Sequence, residues 1–252
     1  MGMGVRHRTR HRWNSQSQWV GVLSGLRSNC EVLPRRTVIE MYRQLRAYRA
    51  ADEPQWDLTA ILENNHPARR LLESGIPGMP RYTRVSRATT FTFKALHSSR
   101  FSSLPISSHP VSLEVSGNIC KVERISGYRS IVSGYAPFLA RLRPWVNPVL
   151  SMFDWPTLPK PATELQAAFV VDAEWIPKNH KVLADLIVEI RRSAAHMGAD
   201  LIHWGIPSNH PDAAWLGSKL RAWETHSIVY AVHEPEIPPP VLVDFWPEVS
   251  RL

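Results

Sequence analysis

Two Asn-His-Pro motifs, at residues 65–67 and 209–211, combine groups that could do chemistry in this 252-residue sequence. Each motif carries an imidazole, which could act as an acid–base group or bind a metal, and an amide that can cap a helix. Because each motif follows a short apolar segment and precedes a helical pattern, we interpret Asn65 and Asn209 as N-caps and the prolines as first-turn residues. His66 and His210 are then helix-start residues rather than ligands.

The other titratable groups do not form a recognisable catalytic set. His203 lies in the middle of a predicted strand, where a histidine is more often a core or edge residue than an acid–base group. The sequence shows no pattern of metal ligands and no Ser-His-Asp arrangement, so we predict no metal site and leave the catalytic residue unknown. Cys30 and Cys120 are far apart in the chain, which favours free thiols in a reducing compartment and a cytoplasmic protein.

The segments around the two motifs form an internal repeat of strand–helix–strand–helix–strand. Each copy has an apolar strand, a helix with apolar residues at helical spacing, a second strand, the motif with its helix, and one or more further strands. The alternation of the two element types predicts an α/β fold. Apart from the motif helices, the predicted elements cover residues 19–26, 36–49, 82–85 and 89–93 in the first copy and 165–171, 178–197 and 228–233 in the second, together with the apolar segments that begin at Asp57 and Asp200 and precede the motifs.

The net charge of +8 is confined to the start of the chain. Residues 1–49 hold ten arginines against Glu31 and Glu40, and the rest of the chain carries equal numbers of basic and acidic residues. A nucleic-acid-binding protein usually spreads its positive surface over a whole domain, so nucleic acid is a disfavoured partner. We interpret residues 1–18 as a basic disordered tail, with an organellar leader or an arm on nucleic acid as alternatives. Uninterrupted apolar segments of about 20 residues are lacking, which predicts no membrane span.

Residues 64–75, Asn-Asn-His-Pro-Ala-Arg-Arg-Leu-Leu-Glu-Ser-Gly, resemble the Asn-x-x-Ala-x-x-Leu/Tyr-x-x-x-Gly signature of the GNAT N-acyltransferase superfamily. In that family the signature connects the fifth strand to the following helix. The continuation over residues 76–82, Ile-Pro-Gly-Met-Pro-Arg-Tyr, is similar to a bacterial subgroup with two fused GNAT-like domains. The resemblance extends over residues 19–252. Further matches to the subgroup are Gly134-Tyr135, Leu142-Arg143-Pro144, Asn147 and Pro247-Glu248-Val249.

The resemblance implies two GNAT-like mixed sheets flanked by helices, the first of them incomplete. In the family a strand and two helices that build the acceptor pocket should precede Trp19, so the first domain is expected to be truncated at its N-terminus. The implied organisation is the basic tail over 1–18, the C-terminal part of a first domain over 19–96, a Ser/Pro-rich linker and connecting strand over 97–126, and a second domain with an N-terminal connecting helix over 127–252.

The resemblance also implies a site for acetyl-CoA or another acyl-CoA, with an unknown amine as acceptor. In this fold the pantetheine arm lies where two neighbouring parallel strands splay apart, and the pyrophosphate lies on the loop and helix N-terminus that follow the first strand. Mapped onto this chain, the strand edge is Leu26, Arg27 and Ser28, the phosphate loop is residues 33–38 with Arg35, Arg36, Thr37 and Val38, and Asn65 faces the pantetheine arm.

The chain departs from the family pattern in its phosphate loops. The family loop is Arg/Gln-x-x-Gly-x-Gly/Ala, in which glycine lets the backbone close around the phosphates. Residues 33–38 read Leu-Pro-Arg-Arg-Thr-Val, and residues 176–181 of the second copy also lack glycine. Arg35 and Arg36 could supply charge instead, since guanidinium groups suit phosphate, or they could form a solvated helix start.

The family's catalytic groups are also incompletely represented. The tyrosine that often serves as general acid aligns with Leu72, which cannot donate a proton. Glu31, near the end of the predicted strand, is either the base that deprotonates the amine or an ordinary loop carboxylate.

Three functions are compatible with these observations. The first is an N-acyltransferase in which the amine attacks the thioester directly, and we adopt it. The second is a catalytically degenerate GNAT-like pseudoenzyme or binding module. The third is a nucleic-acid-associated protein that acts through its basic N-terminus. The oligomeric state, the acceptor and the acyl group are not predicted.

Overall fold

The computed structural model describes residues 2–14, 16–28, 35–96, 109–124, 131–242 and 245–246. In chain order, the elements of this part of the chain are β1 (Gly2–Trp13), β2 (Gln16–Ser28), α1 (Arg35–Ala47), β3 (Trp56–Leu62), α2 (His66–Glu73), β4 (Arg81–Lys94), β5 (Val111–Val115), β6 (Asn118–Glu123), α3 (Pro137–Met152), β7 (Ala167–Glu174), α4 (His180–His196), β8 (Leu201–Pro207), α5 (Ala213–Leu220) and β9 (Trp223–His233).

The predicted order of strands and helices is present in both halves of the chain. It runs β2-α1-β3-α2-β4 in the first and β7-α4-β8-α5-β9 in the second. The two short strands predicted over residues 82–85 and 89–93 are one continuous strand, β4. The predicted linker over 97–126 lies outside the described residues at 97–108 and 125–126, and the part between them contains the two strands β5 and β6.

The predicted disordered tail over residues 1–18 is wrong where the structure describes it. Strand β1 occupies residues 2–13 and pairs antiparallel with β2, in a register that joins Arg6 to Leu23 and Trp13 to Gln16. His11 and Trp13 are buried, with 1% and 4% of their surface exposed, and arginines alternate with them along the strand. Alternating side chains of a strand point to opposite faces, so the arginines at 6, 8, 10 and 12 are a strand pattern with period two.

Contacts divide the chain into two compact units, and each unit contains strand segments from both halves of the sequence. The first unit comprises residues 1–89, 206–209 and 226–252. Its strands follow the order β1-β2-β3-β9-β4, with residues 226–233 of β9 and 81–89 of β4. Strand β2 runs antiparallel to β1 and parallel to β3, and β3 runs antiparallel to β9, so the sheet is mixed.

Two apolar layers cover the sheet of the first unit. One layer contains side chains from β2, α1 and β9, among them Leu23, Tyr42 and Val232, and side chains from α2 and β4 pack against it. The other contains Trp13 and Trp56, whose ring centroids lie 5.4 Å apart, together with apolar residues of β2, β3 and β9. Helix α1 is therefore held on the sheet by burial of its apolar side chains, and α2 by the partly buried Ala68 and Leu72.

The second unit comprises residues 90–205 and 210–225, and its strands follow the order β4-β8-β7-β6-β5. Strand β7 is antiparallel to β6 and parallel to β8, so this sheet is also mixed. Helix α4 packs with six buried residues, including Leu183, Leu186 and Ile190. The predicted α/β class, with mixed strand pairing and flanking helices, is confirmed.

Helix α3 of the second unit is held mainly by polar contacts. None of its residues is buried, and Phe138, Trp145 and Met152 are each about three-quarters exposed. Asn147 fixes the helix by accepting from the backbone N–H of Leu158 at 2.8 Å and donating to its carbonyl at 3.0 Å. None of the helices in the described part of the chain has both the length and the hydropathy needed to cross a bilayer.

Candidate functional site

Strands β2 and β3 of the first unit are parallel, but they are paired over a short distance only. Their ladder joins Gly21 to Asp57 and Val22 to Leu58, and the Thr59 hydroxyl then donates to the Leu23 carbonyl at 2.8 Å. Strand β2 continues to Ser28 and β3 continues to Leu62. The outer edges of both strands stay paired, with β1 and with β9. Beyond Leu23, the inner edges therefore face a gap at the carboxyl ends of two parallel strands.

The predicted strand-edge residues lie at this gap. Leu26, Arg27 and Ser28 are the last three residues of β2. The backbone of Arg27 and Ser28 pairs with β1 on the other side of the strand. Only the backbone of residues 26–28 is described. Residues 29–34, which include Glu31 and the first part of the predicted phosphate loop, lie outside the described residues.

The remaining predicted loop residues lie in the first turn of α1. The helix begins at Arg35, and the structure describes only the backbone of this residue. Arg36 and Thr37 are exposed. Val38 is buried in the core cluster with Tyr42, so its side chain is a packing residue and only its backbone can reach a ligand. The chain thus brings an exposed guanidinium to the end of α1 where backbone N–H groups lack helical partners.

Asn65 is the N-cap of α2, as the sequence predicts. Its Oδ1 accepts from the backbone N–H of Ala68 at 3.3 Å, and Pro67 lies in the first turn. The corresponding prediction for Asn209 is wrong, because α5 begins at Ala213 and its N-cap is Asp212. The imidazole Nδ1 of His210 accepts from the backbone N–H of Asp212 at 3.2 Å, which builds a turn before the helix and delays its start.

A polar cluster beside α2 joins residues that the sequence does not connect. The Tyr230 hydroxyl donates to Glu73, and Arg84 donates to both oxygens of the same carboxylate. Arg69 Nε donates to the Tyr230 oxygen at 3.3 Å. The bonds from Arg84 and from Tyr230 lower the pKa of Glu73, whereas burial, together with the bond to Glu73, raises the pKa of Tyr230. Tyr230 lies 157 residues from Glu73 in the sequence, so no local pattern could reveal the pair.

Two further phenols lie beside Leu72 of α2. Tyr42 and Tyr82 share a hydrogen bond between their hydroxyls, and Leu72 packs in the same apolar cluster as both rings. Burial raises the pKa of Tyr42 and raises that of Tyr82 well above the ordinary value. Both phenols therefore stay protonated at neutral pH.

The other histidine and cysteine side chains of interest are packing residues. His203 Nδ1 lies 2.8 Å from the Thr92 hydroxyl, and burial lowers the pKa of His203 to about 4. Cys120 is a free thiol with 2% of its surface exposed. Within the described ranges no group of three or more His, Cys, Asp or Glu side chains could hold a metal ion.

No family model and no curated protein matches this chain. It is similar to solved structures that share little of its sequence. A conserved protein of unknown function from Enterococcus faecalis V583 is 12% identical, with a match that covers 91% of this chain and 58% of that one at a TM-score of 0.34. The chain therefore spans less than two thirds of that protein's length.

The chain is also similar to solved structures of an N-myristoyltransferase and of a GCN5-related N-acetyltransferase. N-myristoyltransferase of Saccharomyces cerevisiae, solved with bound myristoyl-CoA, is 10% identical, with coverage of 95% of this chain and 67% of that one and a TM-score of 0.43. A GCN5-related N-acetyltransferase from Sphaerobacter thermophilus is 11% identical, with coverage of 87% and 74% and a TM-score of 0.40.

Proposed function

We propose that the first unit binds an acyl-CoA and that the protein is a GNAT-type N-acyltransferase. The observation that carries this proposal is the parallel pair β2–β3, whose ladder ends at Val22 and Leu58 while both strands continue. Strand edges without a strand partner offer backbone N–H and C=O groups. The pantetheine arm carries two amides and is extended, so it suits such an edge at residues 26–28.

The start of α1 supports the phosphate part of the proposal. Free N–H groups and the positive end of the helix dipole favour an anion at this end. Arg36 is exposed there and adds a guanidinium, which binds phosphate oxygens in pairs. The proposed contacts of the pyrophosphate are the side chains of Arg36 and Thr37 and the backbone from Arg35 to Val38, and Asn65, the N-cap of α2, is proposed to face the pantetheine arm.

The proposed reaction needs little covalent chemistry from the protein. The amine nitrogen attacks the thioester carbonyl, a C–N bond forms, the C–S bond breaks, and the proton that the amine loses balances the proton that the CoA thiolate gains. Holding the two reactants in line is the chain's contribution, and orientation of this kind accounts for a large part of many rate enhancements. We further propose a cytoplasmic location, because both cysteines read as free thiols.

A second candidate is a binding module that keeps the CoA site without catalysis. Leu72, in the position of the general acid, packs in the apolar cluster with Tyr82 and Ile76 and offers no proton donor. Binding of CoA without turnover of any amine, tested against a panel of primary amines, would select this candidate over the enzyme.

Thermal unfolding with CoA and acetyl-CoA tests the proposal. A ligand present at 100 times its Kd stabilises the native state by about 2.7 kcal/mol. For a protein of this size that amounts to a rise in Tm of about 5–10 °C. Arg36→Ala should lose most of the rise, whereas Arg43→Ala, which removes the same charge from an exposed position two turns further along α1, should keep it. An unchanged Tm at millimolar CoA would refute acyl-CoA binding.

A further inference from the structure

The second unit repeats the divergent parallel pair of the first. Strands β7 and β8 are paired from Ala167–Leu201 to Val170–Trp204, and β7 then continues to Glu174. The outer edge of β7 stays paired with β6 as far as Glu174. A short loop follows, and α4 begins at His180. By its arrangement of strand, loop and helix, this second gap is the counterpart of the proposed CoA site.

A carboxylate of the chain occupies the loop of this second gap. Asp212 has no exposed surface, and it accepts from the indole Nε1 of Trp175 at 2.8 Å and from the backbone N–H of Lys178 at 3.1 and 3.2 Å. The Nε2 of His180 lies 3.1 Å from its Oδ1. Burial would raise the pKa of Asp212, but the bonds from Trp175, Lys178 and His180 outweigh it and lower that pKa. The buried group is therefore a charged carboxylate.

The backbone of the loop is shaped around this carboxylate. Lys178 has a φ of +64°, the left-handed region that a side chain other than glycine rarely adopts. This conformation turns its N–H toward Asp212, one residue before the N-cap of α4 at Asn179. An anion is favoured at the start of a helix, and here the chain supplies the anion itself. A phosphate at the same place would meet a fixed negative charge and an N–H that is already bonded.

The residue that the repeat aligns with Asp212 is apolar in the first unit. Asn65-His66-Pro67-Ala68 aligns with Asn209-His210-Pro211-Asp212, so Ala68, in the first turn of α2, is the sequence counterpart of Asp212, the N-cap of α5. Ala68 packs against the cluster formed by Ile61 and Tyr230, and its backbone N–H is bonded to Asn65. At this aligned position the second unit therefore has a buried carboxylate and the first unit has a methyl group.

We propose that Asp212 closes the second unit to CoA, so that the chain binds one CoA, in the first unit, and the residue at the position of Ala68 and Asp212 selects the half that takes it. This inference rests on the proposed function, because it assumes that the first unit binds CoA. It adds to that function the number of CoA molecules bound per chain, the unit that binds CoA, and the residue that determines both.

Calorimetric titration with CoA, combined with hydrogen–deuterium exchange, tests the stoichiometry and the location. We expect one equivalent of CoA per chain, with protection in peptides over residues 24–38 and 57–70 and none over 172–182. Two equivalents, or protection over 172–182, would overturn the inference while leaving the proposed function intact. If no CoA binds at all, the proposed function fails first.

Substitutions at Ala68 and Asp212 test whether the residue at this aligned position determines which unit binds CoA. Ala68→Asp should weaken CoA binding at least tenfold, whereas Ala68→Ser, which is polar but uncharged, should stay within threefold of the native chain. Asp212→Ala should add a second, weaker equivalent with new protection over 172–182, and a folded Asp212→Ala chain that still binds one equivalent contradicts the role of Asp212. Circular dichroism shows whether each variant has folded. If Asp212→Ala does not fold, the two Ala68 variants provide the test. Unchanged CoA binding by Ala68→Asp then overturns the inference.

Discussion

Arg6 and Asp57 form a buried ion pair in which the Nε and Nη2 atoms of the guanidinium lie 3.1 and 2.9 Å from the same carboxylate oxygen. Their side chains are 4% and 2% exposed. Arg49 donates to the other oxygen at 2.8 Å, and Arg6 also bonds to Glu53. An arginine near the start of the chain is therefore part of the interior of the first unit, at the end of β3 opposite the proposed CoA site.

Replacing Asp57 by Ala should destabilise the protein strongly. The change leaves Arg6 and Arg49 buried with fewer partners, and removing one member of a buried ion pair costs about 3–5 kcal/mol. Urea unfolding at pH 7 measures this cost. Glu40→Ala is the control, since its pair with Arg43 is exposed and the expected loss is less than about 1 kcal/mol. Equal losses for the two variants would show that the buried pair has no special role.

Gly21 should not tolerate a side chain. A Cβ at this position would overlap both the Arg6 guanidinium and the Asp57 carboxylate, so Gly21→Ala must displace the ion pair. We expect a loss of about 1–3 kcal/mol in the free energy of unfolding, as for other overpacked sites. Gly134→Ala is the matched control, because a Cβ there meets nothing within 4 Å. A Gly21→Ala protein as stable as the control would contradict the packing around Arg6.

His203 should make the protein less stable in mild acid. The pKa of His203 is about 4 in the native state because of burial, whereas an exposed histidine has a pKa near 6.5. Between these two pH values the unfolded chain binds a proton that the native state does not, so stability falls as the pH falls from 6.5 to 4. At pH 5 the expected loss in the free energy of unfolding due to His203 is about 2 kcal/mol relative to neutral pH.

The comparison with His203→Asn isolates this term. Asparagine places an amide near the position of the imidazole Nδ1 and does not titrate, so the variant should lose less stability than the native protein between pH 7 and pH 5. Urea unfolding of each protein at pH 7 and at pH 5 gives its loss of stability between the two pH values. Equal losses for the native protein and the variant would mean that His203 is protonated in the native state at pH 5.

Cys120 should not react with thiol reagents while the protein is folded. Burial raises the pKa of this thiol to about 12, so almost no reactive thiolate is present at pH 8, and the side chain is 2% exposed. In a Cys30→Ser chain, labelling by a disulfide reagent should be slow without denaturant and fast in urea. Rapid labelling of the folded chain would refute the burial of Cys120.

The sequence predicts α1, α2 and α4 close to their observed bounds, because their apolar patterns and the Asn65 cap act locally, whereas α5 begins later than its motif indicates. The parallel pair β2–β3 is present where the family resemblance implies it, and its role in binding acyl-CoA stays a prediction. The sequence does not predict strand β1, because residues 1–18 are rich in arginine, lack acidic residues and show little apolar periodicity, although the arginines alternate with His11 and Trp13 at the period of a strand. Its arginines at positions 6 and 8 are neutralised by acidic residues at 52, 53 and 57, which a count of local charge cannot reveal.

The missed parts of the site depend on contacts between distant residues. Tyr230 reaches Glu73 from a strand near the end of the chain, and Asp212 reaches Lys178 from the start of α5. Hydrophobic periodicity describes one element at a time, so it carries no information on such pairs. The shift of the second N-cap from Asn209 to Asp212 has the same origin, because the Asp212 side chain is bonded to the β7–α4 loop.

The position of β9 beside β3 determines when the sheet of the first unit can form during synthesis. The ladder pairs Asp57 with Val232 and Leu62 with Ser227, so the first unit lacks an inner strand until residues 227–232 have left the ribosome. Such distant pairings slow folding, because a long loop must close before its contacts are gained. A nascent chain halted before residue 223 would expose the apolar edge of β3, which makes early termination a source of aggregation rather than of a smaller working protein.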